Sequence, residues 1–263
     1  MARDNLLYEI YARRLASQVP PERVPAHVGV ILDGNRRWAR AMGFVASQGH
    51  QRGAAKIADF LTWARDAGVR VVTLWLLSTD NLDRDPAELA PLLDIIATAV
   101  EGLAAQGCWC LRLVGAVELL PQAVAVRLRD AVAPTQAWPD PGSAVPGEAL
   151  MEVNIAVGYG GRHEIADAVR AILRERAQEG DTLEAVAASL TEEDISAHLY
   201  TRGQPDPDLV IRTSGEQRLS GFMLWQSVHS EFYFCEVNWP AFRRVDFLRA
   251  LRDYAGRERR LGR

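Results

Sequence analysis

The chain has 263 residues, of which 24% are charged, and its formal net charge is −4. This length is sufficient for one large core, and the weak negative charge gives no bulk electrostatic basis for binding nucleic acid. The sequence contains no apolar run of membrane-spanning length and does not begin like a signal peptide, so we expect a soluble cytoplasmic protein. Cys108, Cys110 and Cys235 lack metal-ligand spacing and are expected to be reduced core residues.

Residues 4–17 have the pattern of an amphipathic helix. Its apolar side chains fall on one face, namely Leu6, Leu7, Ile10, Tyr11 and Leu15. We expect this face to pack on the domain or on a partner, and transient membrane contact is the alternative. Prolines in 19–25 end the helix. We therefore divide the chain into an N-terminal helix and linker, 1–24, and a main domain, 25–263.

Beyond this linker, short apolar runs alternate with amphipathic segments. The predicted strands are 28–32, 69–77, 111–114, 151–157, 209–211 and 230–234. The predicted helices are 50–67, 87–106, 121–133 and 245–259. A further helix is predicted to begin at the glycine-rich turn 158–162 and to run to about 178, and 181–201 is predicted to be helical and peripheral. Residues 134–147 are predicted to form a surface loop. The alternation predicts a single doubly wound, mainly parallel α/β sheet flanked by helices.

The first strand leads directly into a polar sequence that begins with Asp33 and Gly34 and continues with Asn35, Arg36 and Arg37. Glycine permits close backbone approach, and the first turn of a helix attracts anions. An acid beside a bound phosphate is repelled unless a divalent cation lies between them, so Asp33 suggests Mg²⁺. The alternative is an ordinary helix start with surface arginines.

Two further strands end in polar loops. Ser78 begins one loop, and 212–220, with two arginines and several hydroxyls, forms the other. Because ligands gather at the carboxyl ends of parallel strands, these loops are expected to face the same crevice as Asp33. The second loop is a second candidate anion site.

Apolar side chains lie between the two candidate anion sites. The second strand contributes Trp75, Leu76 and Leu77, and the helix after Pro86 adds Leu89, Leu92, Leu93, Ile96 and Val100. A channel lined by these residues would suit a hydrocarbon better than a sugar or a base. The alternative is that they are ordinary core residues. The pattern indicates an enzyme that handles two phosphorylated molecules.

Four segments resemble the cis-prenyltransferases, also called Z-isoprenyl or undecaprenyl diphosphate synthases. They are 27–38, 78–84, 157–162 and 208–220, the last continuing through 224–226 to Glu231. The resemblance covers nearly the whole chain from about residue 25. It implies Mg²⁺-dependent condensation of isopentenyl diphosphate with an allylic diphosphate, a new cis double bond, a hydrophobic tunnel and a homodimer.

Site roles follow from the resemblance, position by position. Asp33 would hold Mg²⁺, with Glu231 helping to place the metal or its waters. The allylic diphosphate would be bound by Gly34, Asn35, Arg36 and Arg37, next to Trp38. Isopentenyl diphosphate would be bound by Arg212, Arg218 and Ser220. Matches to positions that orient the diphosphates and assist proton loss are His50, Ser78, Asn81 and Arg84, with Leu82 beside them.

The candidate catalytic residues are Asp33, Asn35 and Ser78, and the tunnel candidates are Trp75, Leu76 and Leu77. Near the C-terminus, Arg260-Leu261-Gly262 resembles the family's Arg-x-Gly, thought to reach a neighbouring subunit's site.

The sequence also departs from the family pattern. Ala46 replaces a diphosphate-binding arginine, for which Arg40 or Arg52 could substitute, and Leu82 replaces a tryptophan of long-chain enzymes. Leu76 stands where long-chain members often have a small residue, and its bulk should narrow the tunnel. These changes predict a short-chain C15 product, such as Z,E-farnesyl diphosphate from geranyl diphosphate.

Other functions remain as alternatives. A long-chain synthase making a C50 or C55 lipid is the nearest one. A non-catalytic partner subunit of the same fold is disfavoured by Asp33, Arg212, Arg218 and Glu231 together. A nucleotide enzyme lacks support, because no Gly-x-x-x-x-Gly-Lys-Ser/Thr or Gly-x-Gly-x-x-Gly follows the first strand. A trans-prenyl synthase is excluded, because its paired Asp-Asp-x-x-Asp motifs are absent.

Overall fold

The computed structural model describes residues 2–136 and 150–257. The predicted loop 134–147 lies mostly outside the described residues, and its first residues form the end of a helix instead. Arg260-Leu261-Gly262 also lies outside them.

In the described residues, six strands form one sheet in which every pairing is parallel, whereas the prediction was a mainly parallel sheet. They are β1 (His27–Ile31), β2 (Val71–Ser78), β3 (Trp109–Val114), β4 (Met151–Tyr159), β5 (Leu209–Arg212) and β6 (Glu231–Phe234). Their order is β3-β4-β2-β1-β5-β6. Every residue of β1 and β5 is buried, which explains why these strands, apart from His27 and Arg212, are continuous apolar runs rather than alternating.

Nine α-helices flank the sheet in the described part of the chain. They are α1 (Ala2–Ala16), α2 (Asn35–Ala41), α3 (Ala46–Ala67), α4 (Pro86–Ala105), α5 (Gln122–Gln136), α6 (Gly161–Glu179), α7 (Leu183–Ser189), α8 (Glu192–His198) and α9 (Arg244–Gly256). None of these described helices is long and apolar enough to cross a membrane.

Helix α3 begins four residues before the predicted start at 50, because its glycines are contact points and not breaks. A Cβ at Gly49 would lie 2.3 Å from the carbonyl oxygen of Asn35, and a Cβ at Gly53 would lie 2.1 Å from the Asn35 side-chain oxygen. The absence of side chains there lets α3 pack closely against the start of α2.

The sheet buries different side chains on its two faces. Val28 and Val30 point into the larger core, which includes Phe60 of α3 and Phe247 of α9. Ile31 points into a smaller cluster on the other face with Tyr159 and Phe222. The alternation along β1 therefore divides its side chains between two cores.

Helix α1 joins the larger core through only part of the predicted face. Leu15 is buried as expected, together with Ala12, each only 1% exposed, whereas Leu6, Leu7 and Ile10 are 61%, 66% and 55% exposed. These three residues therefore do not pack on the domain, because positions 8, 12 and 15 face α9 and the core. Their packing on a partner stays a prediction.

The strand order changes direction at β1. From β1 the chain moves to β2 on one side and later returns to β5 on the other side. Ile31 is paired with Arg212 in the register of β1 and β5, so the loops after these two strands leave the sheet side by side. This is the switch point at which open α/β sheets bind ligands.

Candidate active site

A cavity of about 580 Å³ opens at this switch point. Its lining contains fifteen of the eighteen predicted site residues, together with Ile31, Leu32, Arg40 and Leu92. Those fifteen are Asp33, Gly34, Asn35, Arg36, Arg37, His50, Trp75, Leu76, Leu77, Ser78, Asn81, Arg84, Arg212, Arg218 and Ser220. Residues far apart in sequence thus meet because three strands of one sheet end at the same edge.

Asp33 is fixed by the loop that follows β5. Its backbone N–H donates to Thr213 Oγ1 at 2.9 Å, and the Thr213 hydroxyl donates to the Asp33 carbonyl oxygen at 2.7 Å. Gly34 has φ +100° and donates its N–H to Asp33 Oδ1 at 2.7 Å. The remaining carboxylate oxygen accepts from Arg212 Nη2 at 3.0 Å. The acid therefore enters the cavity from a rigid turn.

Arg212 is only 4% exposed and holds the other side of this turn. Its Nη1 donates to Ser220 Oγ at 2.8 Å and to the carbonyl oxygen of Arg218. Ser214 and Ser220 have φ values of 77° and 52°, a conformation that is uncommon outside glycine. Such backbone strain clusters at ligand-binding sites.

The cavity arginines form ion pairs with two glutamates. Glu88 Oε1 lies 3.3 Å from Arg36 Nη1 and 3.3 Å from Arg84 Nη1. Glu216 Oε1 lies 2.6 Å from Arg37 Nη2, and the other oxygen of Glu216 pairs with Arg218. Four arginines are thus held in two pairs.

The side of the cavity below β2 is built from short polar contacts. The backbone N–H of Asn81 donates to Ser78 Oγ at 3.2 Å, and Arg84 Nη2 donates to Asn81 Oδ1 at 2.6 Å. Burial lowers the pKa of His50, and the positive charges of Arg84 and Arg36 lower it further. A neutral imidazole is therefore favoured at this position.

Among the described residues, six buried side-chain polar atoms have no hydrogen-bond partner, and three of them belong to residues that line the cavity. These three are Asn35 Oδ1, His50 Nε2 and Arg212 Nε. Buried polar groups are normally paired, so a cluster of unpaired ones indicates a place prepared for a polar ligand.

A small apolar pocket of about 40 Å³ lies between α3 and α4, next to the main cavity. Leu76 and Leu92 line both spaces, and Ile57, Ile96 and Trp239 line only the inner one. The other two tunnel candidates line only the main cavity: Leu77 is buried in the core, and Trp75 stacks on Phe222 at 5.2 Å between ring centroids.

Three predicted site residues lie outside the cavity lining. Trp38 packs on Phe44, with 5.8 Å between ring centroids, and Leu82 packs at the edge of the larger core. Glu231 begins β6, where its carboxylate pairs with Arg257 at 2.5 Å.

Glu231 is paired in register with Leu209, and Leu209 is paired with Val28. β1 ends at Ile31, three residues beyond Val28 and roughly 10 Å along the strand direction, and Asp33 lies in the turn that follows. Within one chain, therefore, the parallel register separates Glu231 from the predicted metal acid. Of the two candidates to replace the arginine missing at Ala46, Arg40 lines the cavity and Arg52 does not.

Among the described residues that line the cavity, Asp33 is the only carboxylate. Mg²⁺ is commonly bound by one or two carboxylates together with substrate phosphates, so the donor set fits this ion. A separate group of possible ligands, Glu118, His163 and Asp167, lies outside the cavity lining, and its Asp167 is already paired with Arg170 and the Tyr200 hydroxyl.

Sequence reasoning missed Glu88, Glu216 and Trp239. The sequence does contain a signal for the two glutamates. Glu88 lies four residues after Arg84, a spacing at which opposite charges can pair, and Glu216 lies between the predicted ligands Arg212 and Arg218. Trp239 donates its backbone N–H to the Asp33 carbonyl oxygen at 3.0 Å and its indole N–H to the Gly53 carbonyl oxygen at 2.8 Å. Nothing local in the sequence indicates these two contacts.

The switch point carries an acid and two groups of arginines, and an apolar pocket lies behind them. This arrangement is typical of an α/β protein for ligands with a diphosphate head and a hydrocarbon tail. The Prenyltransf family model, described as "Putative undecaprenyl diphosphate synthase", matches residues 31–262. The chain belongs to this family.

Three similar proteins refine the comparison. A (2Z,6E)-farnesyl diphosphate synthase of Thermobifida fusca is 57% identical over 97% of this chain and 97% of its own length. Isoprenyl transferase 1 of Streptomyces avermitilis is 55% identical over 99% and 98%. Among solved structures, lavandulyl diphosphate synthase from Lavandula x intermedia, in complex with dimethylallyl diphosphate, has a TM-score of 0.81 at 32% identity and covers 92% of this chain and 100% of its own.

Proposed function

We propose that this protein catalyses Mg²⁺-dependent condensation of isopentenyl diphosphate with an allylic diphosphate, preferably geranyl diphosphate, to a C15 Z-prenyl diphosphate such as Z,E-farnesyl diphosphate. The supporting observation is the Asp33–Arg212 pair, 3.0 Å apart at the switch point and bordered by arginines from three loops. Membership of the prenyltransferase family supports the reaction class.

In this reaction the allylic C–O bond breaks, the double bond of isopentenyl diphosphate attacks the allylic carbon, and one proton is lost. Asn35, Arg36 and Arg37 at the start of α2 would bind the allylic diphosphate and stabilise it as it leaves. Asp33 would hold Mg²⁺, which when bound supplies positive charge to the departing diphosphate. Neutralising the leaving group is therefore the main expected contribution to catalysis.

The second substrate would bind on the β5 side. Arg218 and Ser220 are placed by Arg212, so all three can face one diphosphate. Ser78 and Asn81 on the opposite side would orient the diphosphates and assist proton loss. Glu231 is not part of this proposed metal site within one chain, because it lies at the amino end of β6.

The short product is supported by the space behind the cavity. Leu76 stands between the main cavity and the inner pocket of about 40 Å³. A leucine in this position blocks part of the path that a lengthening chain would take between α3 and α4. Relatives named (2Z,6E)-farnesyl diphosphate synthase and short-chain Z-isoprenyl diphosphate synthase agree with this proposal.

A direct assay tests the proposal. Purified protein and Mg²⁺ are incubated with labelled isopentenyl diphosphate and dimethylallyl, geranyl or farnesyl diphosphate, and the products are analysed for chain length and double-bond geometry. With geranyl diphosphate as the starter, we expect a C15 product with one new cis bond. A C50 or C55 product would support the long-chain alternative, and no product from any starter would support a non-catalytic subunit.

We also propose a homodimer, as the family resemblance implies. In the sheet order, β6 is an edge strand, and its Phe234 is 39% exposed. Light scattering after gel filtration should give about twice the chain mass of 29.1 kDa. A monomer at the concentration of the activity assay would contradict this proposal.

Transient membrane contact is the last part of the proposed function. The face of α1 that exposes Leu6, Leu7 and Ile10 also carries Arg13 and Arg14. Apolar residues among arginines suit the surface of a bilayer with anionic lipids. Cosedimentation with such vesicles should fall when Leu6 and Ile10 are both changed to Ser, and equal binding of this variant would contradict the proposal.

A further inference from the structure

Two glutamates that belong to no predicted site role each join a pair of cavity arginines. Glu88, in the first turn of α4, bridges Arg36 and Arg84 with a single oxygen. Glu216, in the loop after β5, bridges Arg37 and Arg218 with its two oxygens. In both cases one carboxylate is shared by guanidinium groups from separate parts of the chain.

The two bridges have the same relation to the cavity. All four arginines line it, and neither glutamate does. Each bridge links α2, which supplies Arg36 and Arg37, to another loop at the rim. The carboxylates therefore contact the arginines from outside the cavity lining and connect α2 to two other segments of the chain.

These bridges compensate a repulsion that the free protein would otherwise carry. Neighbouring guanidinium groups repel each other, and a carboxylate between them offsets that repulsion. Desolvation opposes ionisation of Glu216, but Arg218 and Arg37 still lower its pKa. The glutamate side chains are 36% and 27% exposed, so solvent screens these bridges and a stronger anion can replace them.

A diphosphate is such an anion, because it offers more negative charge and several oxygens for bidentate arginine contacts. When it binds, each arginine pair can turn from carboxylate to phosphate. The displaced carboxylate then remains near the diphosphate as a like charge, which weakens its retention.

We propose that Glu88 and Glu216 are exchangeable counter-ions for the diphosphate-binding arginines: they hold each arginine pair in place in the free protein and limit the affinity for diphosphate once it is bound. This inference rests on the proposed function, because it assumes that these arginines bind diphosphates. It assigns the glutamates a role in positioning and release, not in the chemical step.

Calorimetric titration with inorganic diphosphate tests the inference. The proteins are the wild type, Glu88→Gln, Glu216→Gln and a control, Glu101→Gln. The control removes the same charge from an ion pair outside the cavity lining, the pair between Glu101 and Arg127. We expect each cavity variant to bind diphosphate about three- to tenfold more tightly, from the size of screened ion pairs, and the control to match the wild type.

The titration is repeated with Mg²⁺ and with EDTA. Tighter binding should persist without Mg²⁺, because the competition is between a carboxylate and a phosphate. Inhibition of turnover by inorganic diphosphate should strengthen in the same two variants. A merely structural role would change the melting temperature without tightening the binding.

Unchanged or weaker diphosphate binding in both cavity variants would overturn the inference, as would equal tightening in the control. These results are distinct from failure of the proposed function. If the wild type makes no prenyl product but the two cavity variants bind diphosphate more tightly, only the proposed function is refuted. If the wild type is active but neither variant binds diphosphate more tightly, only the exchange of counter-ions is refuted.

Discussion

The cavity at the switch point, here called the mouth, and the inner pocket behind it differ in the two properties that matter for the proposed reaction, size and polarity. The mouth measures about 580 Å³ and is lined by arginines and one acid, whereas the inner pocket measures about 40 Å³ and is mostly apolar. The mouth is built from loops at strand ends, and the inner pocket from side chains of packed helices. The comparison suggests that the mouth determines the chemistry and the inner pocket determines the size of the product.

The largest expected effect concerns the acid of the mouth. Asp33→Ala removes the proposed metal ligand, and we expect turnover to fall by about 10³-fold or more, because charge on the leaving group is then uncompensated. The melting temperature should also fall, because Arg212 is only 4% exposed and loses its Asp33 partner. Asp59→Ala on the outer part of α3 is the matched control. If Asp33→Ala retained its turnover, the acid of the mouth would have no part in the chemical step.

Arg218→Gln should weaken the binding of only one of the two substrates, the one proposed to bind on the β5 side of the mouth. We expect the KM for isopentenyl diphosphate to rise by about 10- to 100-fold, as for loss of a charged hydrogen bond, while the KM for the allylic substrate stays nearly constant. Arg129→Gln on the exposed part of α5 controls for the loss of charge. If both KM values rise equally, the two diphosphates do not occupy separate sides of the cavity.

Leu76→Ala should change the inner pocket without changing the mouth. We expect products longer than C15, because the smaller side chain opens space towards Ile57 and Ile96. The measurement is the product length by mass spectrometry. Leu113→Ala, at a partly buried leucine of β3, controls for general loosening of the core. An unchanged product length in Leu76→Ala would rule out the steric explanation.

The smallest expected effect concerns pH. Burial lowers the pKa of both His27 and His50 below the usual 6.5. Below that pH the unfolded chain takes up protons that the folded protein does not, so the free energy of unfolding should fall as pH decreases from 6.5. Each histidine contributes a slope of at most about 1.4 kcal/mol per pH unit.

Urea unfolding at pH 7.5, 6.5 and 5.5 measures this slope. His50→Gln should reduce it, because only one of the two imidazoles with a lowered pKa then remains. An identical slope in His50→Gln would show that the mouth does not hold this histidine neutral.

The strands and the mouth could be read from the sequence because their signals are local. A fully buried parallel strand is a continuous apolar run, and the polar residues after it mark the end at which ligands bind. Asp33, Arg212 and Ser78 were placed in one crevice on this basis, and the cavity contains all three. The start of α3 was predicted four residues too late, because Gly49 resembles a break but is a helix contact.

The sequence by itself therefore determined the class of fold, the order of the motifs and most of the residues that line the mouth. Only the tertiary structure decided which side of α1 is buried, that Glu88 and Glu216 bridge the arginines, and that Glu231 lies at the far end of its strand from Asp33. The physical reason is that strand burial and turn chemistry act over a few residues, whereas strand register and side-chain pairing depend on segments that meet only in the folded chain.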